Sequence, residues 1–434
     1  MGVGVVRRAI DQGWTVRATA GPVPEHLASA LTGVAAVAAS VPGVVHLDLL
    51  AAGLIPDPHL DLNESLLTWI GLVDWTYETT LPMTAAELAA AERHEILFDG
   101  LDTVATVLLN GQVIAEVANQ HRTHRLDVTG ILTEGDNLLE VRFRSPVKYA
   151  NAQSLTYGAR PGPYPMPFEA IRKSACSFGW DWGPATFTSG IWRPVHLVSW
   201  SGARFDDVLV RADAVGDGGR VEVVARVAST SDAARTVTVS IAGASASATT
   251  AAGERKVTAS VECATVDRWW PTGHGDQPLY DVEVELACDG AVLDRVRRRV
   301  GFRTLHWDTT PDAAGTPFQL VVNDRPILVK GVNWIPDDSF PVRVDRARYA
   351  QRLTQARAAN VNLVRVWGGG IYESDTFYDL CDELGLLTWQ DFLFACAAYP
   401  EEEPLRSEVE AEARQNVARL AHHSSLSRRQ GAFG

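Results

Sequence analysis

Cysteine is scarce in this chain. Its 434 residues include five cysteines, with no CxxC pair and no dense spacing. This pattern excludes a secreted domain stabilised by many disulfides. It predicts a protein of the reducing cytoplasm, in which thiols serve as small core residues. The five cysteines are Cys176, Cys263, Cys288, Cys381 and Cys396.

Long apolar runs are also missing. The most apolar N-terminal stretch, residues 27–50, is interrupted by Pro42-Gly43, His46 and Asp48, so it does not read as a membrane span. Two arginines near the start are not followed by a long apolar core, and we therefore predict no signal peptide. These features predict a cytoplasmic protein without a membrane partner, and the abundant alanine, valine and arginine suggest a bacterial source.

Positive charge is in deficit, with 39 Lys and Arg against 53 Asp and Glu and a net charge of −14. An acidic chain repels the phosphates of nucleic acids and of anionic lipids, so neither is expected as the main partner. The hydrophobic content of 46% is ordinary for a globular protein, and the length leaves room for two to four domains.

A strand–helix–strand pattern occupies residues 360–400. An apolar run at 361–366 is typical of a strand buried on both faces of a parallel sheet. Three glycines at 368–370 interrupt it, and Gly385 ends the helix that follows. A second strand is predicted at 386–392, so the segment indicates a β-α-β unit with parallel strands.

Polar and aromatic side chains cluster where these two strands end. Arg365 and Trp367 close the first strand, and Trp389, Gln390 and Asp391 close the second. In barrels of alternating strands and helices the active site lies at this end of the strands. An indole packs on the C–H face of a sugar while charged groups bind its hydroxyls, which favours Trp367 and Asp391 as sugar-binding residues. The alternative is that the tryptophans only fill a core.

The pattern of short strands changes along the chain. Residues 1–202 read as all-β with short helical insertions, and the Asn110-Gly111 turn is typical of a hairpin. This spacing predicts a sandwich or jelly roll. Residues 203–302 read as a second all-β unit of immunoglobulin-domain size, and residues 303–434 alternate between β and α.

A long segment at 147–190, rich in proline, glycine and aromatics, is predicted to be irregular. Loops of this length inside a compact domain are usually functional. At its centre Asp181 lies between Trp180 and Trp182, which can offer two stacking faces and one hydroxyl acceptor together. The alternative is an aromatic plug in which Asp181 caps a turn.

The motifs RVWGGGIYE, WQDF, SFGWDWGP, GIWRPV and WWPTGHGDQPLY resemble those of β-mannosidases in glycoside hydrolase family 2. The resemblance implies a multidomain fold: a sugar-binding jelly roll, an immunoglobulin-like β-sandwich and a (β/α)8 TIM barrel. It also implies that Trp180, Asp181 and Trp182 reach into the barrel mouth and bind the terminal sugar of a β-mannoside oligosaccharide. An exo-β-glucosaminidase of the same family is a close alternative.

The resemblance fails after His422-His423. There the family has a fourth strand with an Asn-Glu pair, whose Glu is the general acid/base, and a nucleophilic Glu follows later; residues 424–434 contain no carboxylate. Residues 303–434 are also too few for a barrel of about 250 residues. We therefore expect a truncated or frame-shifted member, with no buried strand after His423, an incomplete TIM barrel and no catalytic residue. A non-catalytic carbohydrate-binding protein is the alternative from another functional class.

We assign structural roles to the acidic residues at 373–383 and to the histidine pair. Most of the acidic side chains at 373–383 lie on a predicted helix whose charged side should face water. The pair His422-His423 follows a helix at about 405–421, where imidazoles are favourable, and no ligand cluster is seen beside it. We predict no metal and no cofactor, and the sequence does not indicate an oligomeric state.

Three βα units leave strand edges unpaired that a closed barrel would pair. We therefore predict that limited proteolysis of the purified chain will degrade residues 303–434 before residues 1–302. A compact, protease-resistant C-terminal third would contradict this prediction.

Overall fold

Two antiparallel sheets face each other in the N-terminal part of the chain. The computed structural model describes residues 4–427. One sheet has the order β1-β12-β5-β8 and the other β3-β2-β4-β9-β6-β7. The strands are β1 Val6–Ala9, β2 Thr15–Ala20, β3 Val37–Ala38, β4 Asp74–Met83, β5 Arg93–Phe98, β6 Val104–Leu109, β7 Gln112–Ala118, β8 His124–Asp127, β9 Gly135–Phe143, the short pair β10 Phe178–Trp180 and β11 Gly183–Ala185, and β12 Val195–Trp200. The helices are α1 Glu25–Leu31, α2 Val45–Ala51, α3 Asn63–Leu66, α4 Ala85–Ala89 and α5 Pro146–Tyr157.

The core of this sandwich comes from side chains that alternate along the strands. Trp75 and Tyr77 of β4 are fully buried and pack in one cluster with Phe98 of β5 and Leu197 of β12. Successive side chains of a strand point to opposite faces, so one face of each sheet forms the shared core. The predicted hairpin turn at Asn110-Gly111 joins β6 to β7, with both residues at positive φ.

Seven strands form a second β-sandwich. The sheet β13-β14-β17 packs on the sheet β16-β15-β18-β19 through one hydrophobic cluster that is mostly Val and Ala. The strands are β13 Ala203–Val215, β14 Gly218–Ser229, β15 Thr236–Ile241, β16 Ala244–Thr249, β17 Lys256–Cys263, β18 Tyr280–Cys288 and β19 Ala291–Val300.

Parallel strands begin after a small antiparallel sheet. The sheet β20-β21-β22 precedes the parallel sheet β23-β24-β25, whose register aligns Asn333 with Arg365 and Arg365 with Trp389. The elements are β20 Leu305–Asp308, β21 Gln319–Val322, β22 Arg325–Ile327, β23 Gly331–Trp334, α6 Arg346–Ala358, β24 Leu363–Val366, α7 Asp375–Leu384, β25 Leu387–Gln390 and α8 Leu405–Leu420. Within residues 4–427, β23 pairs only with β24.

The segment 147–190 is not irregular throughout, contrary to the sequence prediction. Its first part belongs to α5, a helix of 12 residues. Ser145 caps this helix by accepting a hydrogen bond from the Lys148 N–H, and Pro146 occupies the first turn, where it removes no needed donor. The helix was missed because it has little apolar patterning; only Pro146 and Ala150 are buried.

The chain after His423 lies beside β25 and forms a single parallel bridge with it. The Thr388 N–H donates to the Ser425 carbonyl, the Ser427 N–H donates to the Thr388 carbonyl, and Leu426 pairs in parallel with Thr388. Residues 424–427 form one isolated bridge and no further strand among the residues described, but Ser424, Ser425 and Ser427 are fully buried, which the sequence did not predict. Small polar residues can be buried here because the Arg303 guanidinium binds the carbonyls of Ser424 and Leu426. Residues 428–434 of the expected tail lie outside the described residues.

The inward face of α8 is partly polar, although Val409, Ala413, Val417 and Leu420 recur at helical spacing in the sequence and predict an apolar one. Leu420 is fully buried, but Val409, Ala413 and Val417 are only half-buried, whereas Glu412 and Asn416 are buried. Buried polar groups need hydrogen-bond partners. Asn416 donates to the His121 carbonyl, so this face of the helix is matched to polar groups of the N-terminal sandwich.

The partner of Glu412 is Arg172, and both side chains are 2% exposed. Arg172 binds both oxygens of Glu412, with Nη2–Oε1 at 2.6 Å and Nε–Oε2 at 3.0 Å, and its Nη1 donates to the Leu393 carbonyl at 2.8 Å. Tyr372 also donates to Glu412. One buried ion pair thus joins the long segment of the first sandwich to α8 and to the chain that follows β25.

No helix among residues 4–427 is long and apolar enough to cross a membrane.

Arg172→Gln should leave Glu412 buried without its cation. Breaking such a pair costs about 3–5 kcal/mol, so the free energy of unfolding measured with urea should fall by that amount. The control is Arg414→Gln, which removes an exposed pair with Glu410 and should change the free energy of unfolding little. Equal losses in the two variants would contradict the importance of the buried pair.

Candidate functional site

Asp181 and Trp182 form the two-residue tip of the hairpin β10–β11. Trp180 pairs with Gly183 and Phe178 with Ala185. Gly179 has a φ of +92°, which a side chain would disfavour. The hairpin therefore projects Asp181 and Trp182 outwards: Asp181 is exposed and Trp182 is 45% exposed.

Three predicted tryptophans meet in one cluster. Trp367, which directly follows β24, lies 4.9 Å from Trp180 and 5.7 Å from Trp182 between ring centroids, and both contacts are edge-to-face. Trp180 also contacts Tyr164 at 4.9 Å. The hairpin of the first sandwich thus reaches the carboxyl end of the parallel sheet.

The glycines after β24 allow the Trp367 ring to pack directly against the backbone. A Cβ on Gly369 would collide with that indole, and a Cβ on Gly370 would lie 2.7 Å from Pro336. The Gly369 carbonyl also accepts a hydrogen bond from the Cys176 N–H at 2.9 Å. Glycine is required here because ring and backbone approach too closely for a side chain.

Asp391 lies beside the cluster in a fixed orientation. Its Oδ2 is 2.6 Å from Nη2 of Arg365, its Oδ1 accepts from Nε at 3.3 Å, and the Gly368 N–H donates to Oδ2 at 3.2 Å. Arg365 also contacts Asn333 on the neighbouring strand. The ends of three parallel strands therefore present Asn333, Arg365 and Asp391 as one polar row.

The Asp181 carboxylate differs from that of Asp391. In residues 4–427 no hydrogen bond or ion pair engages it, while its backbone N–H donates to Tyr164 Oη at 3.1 Å. An exposed carboxylate beside aromatic rings offers a hydroxyl acceptor without first breaking an internal bond. Its side chain does not cap the turn.

A cleft of about 340 Å³ adjoins the hairpin and is lined in part by Trp182. Its opposite wall is the loop after β23, with Asp337, Asp338, Arg343 and Arg348. These four are ion-paired to one another. Sequence reasoning missed this wall, although an acidic pair directly after a strand of a parallel sheet is a signal for such a position.

Glu373, just before α7, and Asp382, on its predicted water-facing side, are both buried. Glu373 accepts hydrogen bonds from Trp334 Nε1 and the Tyr349 hydroxyl, and burial raises the pKa of this carboxyl while those bonds oppose the rise. Asp382 is bound by His423 Nδ1 and the Ser425 N–H, each at 2.7 Å. The helix pattern placed Asp382 on a polar side, but that side packs against the chain after α8.

The histidine pair does have carboxylates beside it, contrary to the sequence interpretation. Ligand atoms of Asp379, Asp382 and His423 lie within 4.8 Å of one another. The folding of the chain after α8 onto α7 creates this proximity, which no spacing in the sequence indicates.

Family models identify two parts of the chain. Residues 14–193 match the model described as glycosyl hydrolase 2 galactose-binding domain-like, and residues 203–303 match the model described as glycosyl hydrolases family 2. Together these matches cover well over half of the residues.

The chain is also similar to proteins named β-mannosidase. It is 37% identical over 412 residues to the β-mannosidase of Rattus norvegicus, covering 89% of this chain and 46% of the relative. It is 36% identical over 435 residues to the β-mannosidase B of Thermothelomyces thermophilus, covering 96% and 48%. The chain belongs to glycoside hydrolase family 2. It spans about half the length of the curated relatives it matches.

Two solved structures have a similar fold over nearly the whole of this chain. The β-D-mannosidase of Dictyoglomus thermophilum superposes with a TM-score of 0.90 at 35% identity, over 97% of this chain and 51% of that one. The exo-chitosanase of Amycolatopsis orientalis superposes with a TM-score of 0.75 at 24% identity, over 97% and 48%. The second likeness concerns the fold alone.

Gly369→Ala should displace the Trp367 indole, because the added methyl group occupies the position of the ring. We expect the resonance of Trp367 to shift in the fluorine NMR spectrum of 5-fluorotryptophan-labelled protein, with Trp367→Phe providing the assignment. Gly130→Ala is the control, since a Cβ there meets nothing within 4 Å. An unchanged Trp367 resonance in the Gly369 variant would show that the packing is not as tight as described.

Proposed function

We propose that this chain is the sugar-recognising part of a β-mannosidase-type retaining exo-glycoside hydrolase, which removes terminal β-D-mannose from manno-oligosaccharides. One observation carries the proposal: the hairpin of the first sandwich brings Trp180, unengaged Asp181 and Trp182 to Trp367 at the end of a parallel strand. The relatives named β-mannosidase and the matching family models support it.

The residues of this cluster suit a pyranose. Indole faces pack on the apolar C–H face of the sugar ring, and the partly exposed Trp182 leaves room for such contact. Asp181 accepts hydrogen bonds from sugar hydroxyls, while Asp391, held by Arg365, supplies a second and pre-oriented acceptor. We assign Trp180, Asp181, Trp182, Trp367 and Asp391 to substrate binding and none of them to catalysis.

The chemistry proposed for the complete enzyme is retaining hydrolysis. Two carboxyls about 5 Å apart flank the scissile bond; one attacks the anomeric carbon, and the other protonates the leaving oxygen and then activates water. Asp391 is a poor candidate for either role because its two oxygens already bind Arg365 and the Gly368 N–H. We place both catalytic carboxyls on later strands of a TIM barrel that begins with β23, β24 and β25.

The proposed division into domains follows the strand patterns. We propose a jelly-roll domain at 1–202, an immunoglobulin-like domain at 203–302, and the start of the barrel at 303–434. A cytoplasmic location in a bacterium remains a prediction from the sequence.

Binding by the 434-residue chain tests the role of Asp181. We expect isothermal titration calorimetry with methyl β-D-mannoside to give a weak dissociation constant that rises about tenfold in Asp181→Ala, because a charge-assisted hydrogen bond is lost. The control, Asp136→Ala, removes an exposed carboxylate elsewhere and should change nothing. Equal affinities for the three proteins would refute the assignment.

Activity of the same purified chain is predicted to be absent. We expect no turnover of an activated aryl β-mannoside above background, since loss of one catalytic group already removes orders of magnitude in rate. Turnover that disappears in Asp181→Ala would refute this prediction and indicate an unidentified catalytic carboxylate.

Assays can distinguish this proposal from two alternative functions. In a protein that carries the complete barrel, faster hydrolysis of an aryl β-glucosaminide than of the β-mannoside would favour an exo-β-glucosaminidase. Sugar binding without hydrolysis of either substrate by that complete protein would favour a carbohydrate-binding protein.

A further inference from the structure

A second cavity, of about 220 Å³, lies between the second sandwich and the helices α7 and α8. Four arginines, two histidines and three aspartates line it, and none of them lines the cleft beside Trp182. The cavity is therefore separate from the candidate sugar site, and basic groups outnumber acidic ones in its wall.

Four nitrogen atoms of the lining residues are buried without a hydrogen-bond partner in the part of the chain that the structure describes. They are Nε of Arg298, Nε of Arg419, Nδ1 of His422 and Nε2 of His423. His422 is 8% exposed and His423 is 1% exposed, so both imidazoles are almost fully removed from bulk solvent. An unpaired buried polar nitrogen costs about 1–3 kcal/mol, so a ligand that accepts hydrogen bonds from these four would recover part of that cost.

The positive charges are only partly compensated by the protein. Arg419 binds Asp375 through Nη1 and the Glu373 carbonyl through Nη2. Arg298 donates to the Arg297 carbonyl, and within residues 4–427 it forms no ion pair with a carboxylate. Burial, together with the positive charges around it, holds the pKa of His422 well below its usual value.

We propose that this cavity binds a small tetrahedral oxyanion, sulfate or phosphate, through Arg298, Arg419, His422 and His423. Four oxygen atoms of such an ion can accept hydrogen bonds from several converging donors, and guanidinium groups suit them well. Arg298 belongs to β19 of the second sandwich, whereas the other three belong to the end of α8 and the chain after it. The bound anion thus links the second sandwich to the α/β part of the chain.

A cation at the neighbouring cluster of Asp379, Asp382 and His423 is the competing interpretation. The ligand atoms there are already engaged: His423 Nδ1 and the Ser425 N–H bind Asp382, and Asp379 lies 3.3 Å from Arg299. Arginines near the cavity also repel a cation. The nitrogen that His423 leaves unpaired is Nε2, which is not the one bound to Asp382.

The full 434-residue chain can be titrated with sodium sulfate at constant ionic strength, balanced with sodium chloride. We expect a saturable rise in melting temperature and a matching calorimetric dissociation constant. Arg298→Gln and His422→Gln should each weaken sulfate binding by about tenfold or more, because each removes a donor to a charged ligand. Phosphate should behave like sulfate.

Arg295→Gln is the matched control, since it removes the same charge from an exposed position on the same strand, where Arg295 pairs with Glu285. It should bind sulfate like the original chain. Native near-ultraviolet circular dichroism of each variant without sulfate establishes that it is folded; an unfolded Arg298 variant is replaced by Arg298→Lys, which should bind several-fold more weakly because the fork of donors is lost.

Equal sulfate affinities in the Arg298, His422 and Arg295 variants would overturn the proposal. So would stabilisation by Mn²⁺ or Zn²⁺ without any by sulfate, which would indicate the cation site. Mannose 6-phosphate tests whether the bound group is a free ion or the phosphate of a metabolite. Affinity similar to that of sulfate indicates a free ion, and much tighter binding indicates a phosphorylated metabolite.

Discussion

The buried ion pair between Arg172 and Glu412 is the contact on which the arrangement of the candidate site depends. Its two hydrogen bonds are 2.6 and 3.0 Å long, and neither side chain reaches solvent. Removing two charges from water is expensive, so such a pair is weak evidence for stability in itself. It is strong evidence for a defined geometry, because only one relative placement of the two partners satisfies both charges.

That placement holds in position the two parts of the chain that border the sugar site. Arg172 lies a few residues before the hairpin that carries Trp180 and Trp182, and its Nη1 holds the Leu393 carbonyl, two residues after Asp391. The Cys176 N–H adds a direct bond to the Gly369 carbonyl beside Trp367. The hairpin from one sandwich and the strand ends of the parallel sheet are therefore held in position together.

Local chemistry explains why much of this could be predicted. The run at 361–366, the glycine at 385 and the second strand are encoded by neighbouring residues, and both strands appear within their predicted ranges, although they are shorter. Gly385 adopts the left-handed conformation of a helix C-cap, as its position predicts. Trp367 and Asp391 could be proposed as site residues because parallel strands bring their carboxyl ends together.

Apart from α5 and the loop after β23, the features that sequence reasoning missed depend on distant partners. Glu412 and Asn416 look like the solvent side of α8 until Arg172 and the His121 carbonyl are placed beside them. Ser424 and Ser425 are poor strand residues by composition, yet both are fully buried.

In each case a charged or polar group far away in the sequence provides the missing bond: Arg303 for the Ser424 carbonyl and Asp382 for the Ser425 N–H. A periodicity argument assumes that polar residues seek water, and it fails wherever the protein itself supplies the polar partner. The nitrogens beside His422 present the opposite case, because no partner for them lies in the described part of the chain and a bound ligand would have to supply it.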